Sequence, residues 1–98
     1  MNIEKKLEDG ALTIAVSGRL DTATAPQLDE ELKASIDDVE TLVMDLTDLE
    51  YISSAGLRVL LSAQKTMNKQ GTMEVIGVND AVMEIFEVTG FSEILTIK

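Results

Sequence analysis

The stretch "TLVMDLTDLEYISSAGLRVLL", residues 41–61, decides the fold. Leu42, Val43, Met44 and Leu46 make a nearly continuous apolar run, which reads as a central strand covered on both faces. Downstream, at about 100° per residue, Leu57, Leu60, Leu61, Ala63 and Met67 share one broad arc of a helix. Arg58, Ser62, Lys65 and Lys69 fall on the opposite side. Between strand and helix stand two serines, an alanine and a glycine, Ser53 to Gly56.

The same periodicities organise the flanks. Leu12, Ile14 and Val16 recur with period two, as in a half-buried strand. The Asp9-Gly10 pair ahead of them is a hairpin signal that joins it to "NIEKKL". In "TATAPQLDEELKASI", Thr24 and Gln27 have capping-box spacing, and Pro26 suits a first helical turn. Ala25, Leu28, Leu32 and Ile36 then form the inward stripe, while Asp29, Glu30, Glu31 and Lys33 face away.

Gly71 closes the helix that begins near Ser54, and "TMEVIGV" reads as another buried strand. Asn79 caps a third helix carrying Val82, Ile85, Phe86 and Val88 inward. Gly90 can end it in the left-handed conformation, with Phe91 folding back on the last turn. "EILTI" reads as a final short strand. The order β-β-α-β-α-β-α-β predicts a single α/β domain over residues 1–98, with helices packed on a mixed sheet.

Composition excludes several functions. Eight basic and eighteen acidic residues leave a net charge of -10, too few cations to displace phosphate counterions along a nucleic acid. Tyr51, Phe86 and Phe91 are the only aromatics, so base-stacking platforms are not expected either. Histidine and cysteine are absent, which removes the imidazole base of a Ser-His-Asp triad and the usual zinc ligands. No acidic spacing of a calcium loop occurs, so neither metal nor cofactor is expected. No apolar run approaches the roughly 20 residues that cross a bilayer. The first ten residues lack a signal peptide's apolar region, so a cytoplasmic location is the expectation.

The serine pair sits where α/β folds gather ligands, at the carboxyl end of a strand and the start of a helix. Ser53 suits an N-cap. Ser54 lacks an activating base, and the leading glycine of a nucleophile elbow is replaced by Ile52. A small serine hydrolase is therefore the weakest reading. A phosphate acceptor asks only for an exposed hydroxyl and a corner that tolerates a dianion. Gly56 either keeps that corner uncluttered or allows helix and sheet to approach closely.

Taken together, "VMDLTDLEYISSAGLRVLL", "VSGRLDTATAPQL", "MEVIGV" and "DAVMEIFEVTGFSEILTI" resemble the STAS family of anti-sigma factor antagonists, over essentially the whole chain. The resemblance implies a STAS-like domain, with a sheet of about four or five strands and about three or four helices. It implies a non-enzymatic module that binds an anti-sigma factor, often a serine kinase, and frees the sigma factor it holds. Phosphorylation of a serine at a helix start ends that interaction, with a phosphatase as a further partner. The family motif places the acceptor at Ser54, with Ser53 as runner-up because serine stands here where many members have aspartate. The family's G-x-L-D loop maps to Gly18, Arg19, Leu20 and Asp21. The expected partner surface is Asp21, Thr22, Ser53, Ser54, Ala55 and Gly56, although Asp21 could merely cap the "TATAP" turn. A STAS module of another signalling or lipid-transport complex is the alternative.

Overall fold

The computed structural model describes residues 1–98. In chain order the elements are β1 (Asn2–Glu8), β2 (Ala11–Leu20), α1 (Ala25–Ser35), β3 (Thr41–Asp45) and β4 (Leu49–Ile52). They continue with α2 (Ser54–Gln70), β5 (Thr72–Ile76), α3 (Asp80–Thr89) and α4 (Phe91–Ile94). Strands β1 and β2 form the predicted antiparallel hairpin, closed by the pair Glu8 and Ala11. Its turn residues Asp9 and Gly10 have φ of 50° and 81°, the positive values that a two-residue primed turn requires.

The sheet runs β1-β2-β3-β5, with β2/β3 and β3/β5 parallel. Strand β2 has two partners along its length. Ala11–Ala15 pair with β3, while Gly18–Leu20 pair in parallel with β4 after a register shift between Gly18 and Arg19. Gly18 takes φ 86° at that shift, the left-handed region that glycine enters without a side-chain penalty. This irregularity re-aims the end of β2 toward the serine corner.

Burial corrects the reading of residues 41–46. Leu42, Met44 and Leu46 are buried, but Val43 and Asp45 on the other face are only half-buried. The same alternation holds for Leu12, Ile14 and Val16, and for Met73 and Val75. Helices cover one face of the sheet, so β3 is central without being enclosed on both sides.

Strand β4 is absent from the predicted order of elements. Its burial order places Leu49 and Ile52 inside with Glu50 and Tyr51 outside, which is not a period-two pattern. The closing "EILTI" is not a strand either. Residues 91–94 form a helical turn, Leu95 is buried, and the chain then meets β5 only through a bridge between Val75 and Ile97. Gly90, at φ 82°, ends α3 as expected and sends the chain straight into that turn.

Within α2 the inward arc is rotated from Leu61, which is half-buried, toward Val59, which is buried. Val59 lines a groove shared with Ala25 and Pro26 at the start of α1. Gln64 is also buried, donating to Asn68 at 2.8 Å while its own carbonyl oxygen stays unpartnered. In α3, Val82 and Phe86 are buried and Ile85 partly so, but Val88 is 81% exposed. No helix is long and apolar enough to cross a membrane.

Gly71 caps α2 in an extended conformation, φ 178°. Its requirement is space: a Cβ there would collide with the Glu40 carbonyl, to which the Thr72 amide bonds at 3.0 Å.

Candidate functional site: the corner between β2, β4 and α2

Parallel pairing of β2 with β4 sets Leu20 beside Ile52, and the Ser53 amide donates to the Leu20 carbonyl at 2.9 Å. The loop leaving β2 and the start of α2 therefore emerge side by side. Asp21 and Thr22 follow Leu20 directly, as Ser53 and Ser54 follow Ile52, an adjacency that the family resemblance implies.

The serines do different work. Ser53 is extended (φ -97°, ψ 175°), and its hydroxyl accepts from the Gly56 amide at 3.4 Å, the geometry of an N-cap. Ser54 is the first residue of α2, exposed, and its hydroxyl has no hydrogen-bond partner within the chain. Ala55 is half-buried beside it.

Gly56 is buried beneath the corner. A Cβ at this position would stand 2.7 Å from Leu20 Cγ and 2.8 Å from Ile52 Cγ1, both buried core atoms. Of the two roles open in the sequence, close approach of helix to sheet is the one its surroundings support.

The β2–α1 loop is tied by its own side chains. Asp21 Oδ1 accepts from the Ala23 amide at 3.0 Å and the Thr24 amide at 3.1 Å. Thr24 does not make the expected capping box. Its hydroxyl instead donates to the Arg19 carbonyl at 2.8 Å and accepts from the Asp21 amide at 2.9 Å. With Asp21 already bonding the orphan amides of the loop, Thr24 serves to brace the turn. The Thr24 amide does most to hold the Asp21 carboxyl below its ordinary pKa. The Thr24 hydroxyl, the Ala23 amide and the Arg19 charge add to this, against an opposing desolvation.

Three features here were not singled out in the sequence. Arg19 lies opposite Tyr51 across β2 and β4, its guanidinium 4.3 Å from the ring centroid and 3.8 Å from the Asp21 carboxylate. A groove of about 410 Å³ opens between the starts of α1 and α2, lined by Thr22, Ala25, Pro26 and Asp29 on one side and Ala55, Arg58 and Val59 on the other. Arg58 stands on its rim. The placement of a rare aromatic and an arginine in paired registers was legible only once the β4 pairing was known. No group of three or more Asp or Glu side chains is arranged to hold a metal ion.

The whole chain matches known proteins. Residues 2–98 match the model of the STAS domain. A Bordetella bronchiseptica protein named as an anti-sigma factor antagonist, BtrV, is 41% identical over 91% of this chain and 78% of its own length. The anti-sigma-B factor antagonist of Listeria monocytogenes is 34% identical over the full chain and 90% of its own length. Among solved structures, an anti-sigma factor antagonist from Mycobacterium paratuberculosis superposes with a TM-score of 0.89 at 27% identity, covering 98% of this chain and 83% of that one. With an α/β sandwich of one sheet and four helices and a family match from end to end, this chain belongs to the STAS domain family.

Proposed function

We propose that this protein is an anti-sigma factor antagonist, a cytoplasmic binding module rather than an enzyme, whose partner is an anti-sigma factor with serine-kinase activity. The observation that carries the reading is the division of labour at the corner: Ser53 caps α2 and leaves the neighbouring Ser54 hydroxyl exposed and unbonded. The names of the relatives at 41% and 34% identity support the same class.

In this reading the γ-phosphoryl group of ATP passes to Ser54 Oγ, the hydroxyl proton is lost, and ADP leaves. The modification adds about -1.5 to -2 charges at neutral pH. At a helix start the added charge is accommodated without unfolding, so its effect falls on the interface. A loss of about 1.4 kcal/mol there already weakens binding tenfold. The docking surface comprises Asp21, Thr22, Ser53, Ser54 and Ala55, with Gly56 supporting it from below.

The test is to recover the protein with its partners from its native host and map the phosphosite by mass spectrometry, followed by a kinase reaction on variants. A kinase-like ATPase partner, with phosphate on Ser54, is the expected result. Phosphate on Ser53 with Ser54→Ala still fully modified would show that the acceptor is the other serine. Recovery of transport proteins alone would favour a module of a different complex.

A further inference from the structure

Charge is distributed unevenly along this chain. Eighteen residues are acidic, yet α2 contains none in seventeen positions, while it carries Arg58, Lys65 and Lys69. The other five cations each pair with a carboxylate: Lys5 with Glu31, Lys6 with Glu8, Arg19 with Asp21, Lys33 with Asp29, and Lys98 with Glu74. Those of α2 have no acidic partner.

Helix α1 shows how such a charge is ordinarily met. Asp29 sits four residues before Lys33, and the pair closes to 2.9 Å. The equivalent position before Arg58 is residue 54, a serine. Residues four apart on a helix have Cβ atoms about 5–6 Å apart. Helical side chains also lean toward the N-terminus, so an arginine at 58 reaches back over residue 54. The acids that share the corner are already engaged, Asp29 by Lys33 and Asp21 by the Ala23 and Thr24 amides and Arg19. Arg58 is left free.

Building on the reading of Ser54 as the acceptor, we infer that Arg58 is the intramolecular partner of the Ser54 phosphate, supplying on α2 the pair that Asp29 and Lys33 make on α1. A guanidinium offers two parallel N–H donors to phosphate oxygens, a stronger match than a point charge. The contact moves Arg58 from the rim of the α1–α2 groove to the start of the helix, so the modified and unmodified proteins present different surfaces. It also distinguishes the two serines, because residue 53 is five positions from Arg58 and does not face it.

The experiment uses the full chain with phosphoserine installed at position 54 during translation, without any kinase. The phosphate is titrated by phosphorus NMR. A phosphoserine second pKa is about 6. It is expected about half a pH unit lower with Arg58 present than in Arg58→Gln, with the difference shrinking at about 1 M salt. Arg58→Lys retains part of the shift, and Lys65→Gln leaves it unchanged. Phosphoserine at 53 titrates alike with and without Arg58. Identical titrations at position 54 in the presence and absence of Arg58 would overturn the inference while leaving the acceptor assignment standing. A natural phosphosite elsewhere would sink that assignment and leave this titration unaffected.

Discussion

Replacing Gly56 with alanine sets two effects of opposite sign against each other. Intrinsic helix propensity favours alanine over glycine by about 0.8–1 kcal/mol in a helix interior, and by less in a first turn. On propensity alone Gly56→Ala should stabilise the protein. The surroundings say otherwise. The added methyl would stand 2.7 Å from Leu20 Cγ and 2.8 Å from Ile52 Cγ1, well inside ordinary contact. Leu20 is 0% and Ile52 2% exposed, and both lie on paired strands, so neither can swing into solvent. Overpacking of this kind costs about 1–3 kcal/mol. Subtracting a first-turn propensity gain of about 0.5 kcal/mol leaves a net loss of roughly 0.5–2.5 kcal/mol, or a thermal midpoint lower by about 4–8 °C per kcal/mol for a domain of this size. The assay is a pair of urea and thermal unfolding curves for wild type and variant, with Ala55→Gly as a control for propensity at a neighbouring position. An unchanged or raised midpoint for Gly56→Ala would refute the close-packing role and reopen the alternative that the glycine serves a docking surface.

Leu60 is fully buried, so Leu60→Ala should cost roughly 2–5 kcal/mol in denaturant titration, whereas exposed Arg58→Ala should stay within about 0.5 kcal/mol. Comparable losses would mean that the helix phase is wrong. Ser53→Ala should cost about 0.5–1 kcal/mol, near the low end for a cap because its bond is long at 3.4 Å; Ser54→Ala should leave unfolding unchanged yet abolish phosphorylation. Equal unfolding midpoints for the two variants would argue against the division of roles. Because the Asp21 pKa is depressed in the folded state, its contribution to the β2–α1 turn is present above the unfolded value of about 3.9 and is lost as pH falls through the lower folded value. Protection of the Ala23 and Thr24 amides, taken relative to their intrinsic exchange at each pH, should therefore fall in acid, and Asp21→Asn should remove that loss of protection; an unaltered protection profile in the variant would locate the effect in another carboxylate.

Local chemistry was legible in the residues. The Asp9-Gly10 turn, the caps at Ser53 and Asn79, the left-handed Gly90 and the alternation of Leu12, Ile14 and Val16 depend on neighbours a few positions away, and each forms as the pattern predicts. The candidate corner was equally visible as two serines between a strand and a helix, because a helix start exposes amide donors wherever it occurs. Misreadings arose where a competing partner, local or distant in sequence, decides the outcome. Thr24 has capping-box spacing, but Arg19 and Asp21 claim its hydroxyl. Val88 has core spacing, but α3 has nothing packed over that flank.

By itself, then, the sequence determined the elements with strong periods, the inventory of reactive groups and the exclusion of imidazole and thiol chemistry. The tertiary structure alone decided three things: that helices cover one face of the sheet, that β2 changes partner from β3 to β4 at Gly18, and that Gly56 rather than a larger residue must lie over Leu20 and Ile52. The physical reason is common to all three. Periodicity reports which side of an element is apolar, whereas register, partner and clearance are set by atoms that the chain brings together from more than thirty positions away, as Leu20 and Ile52 are.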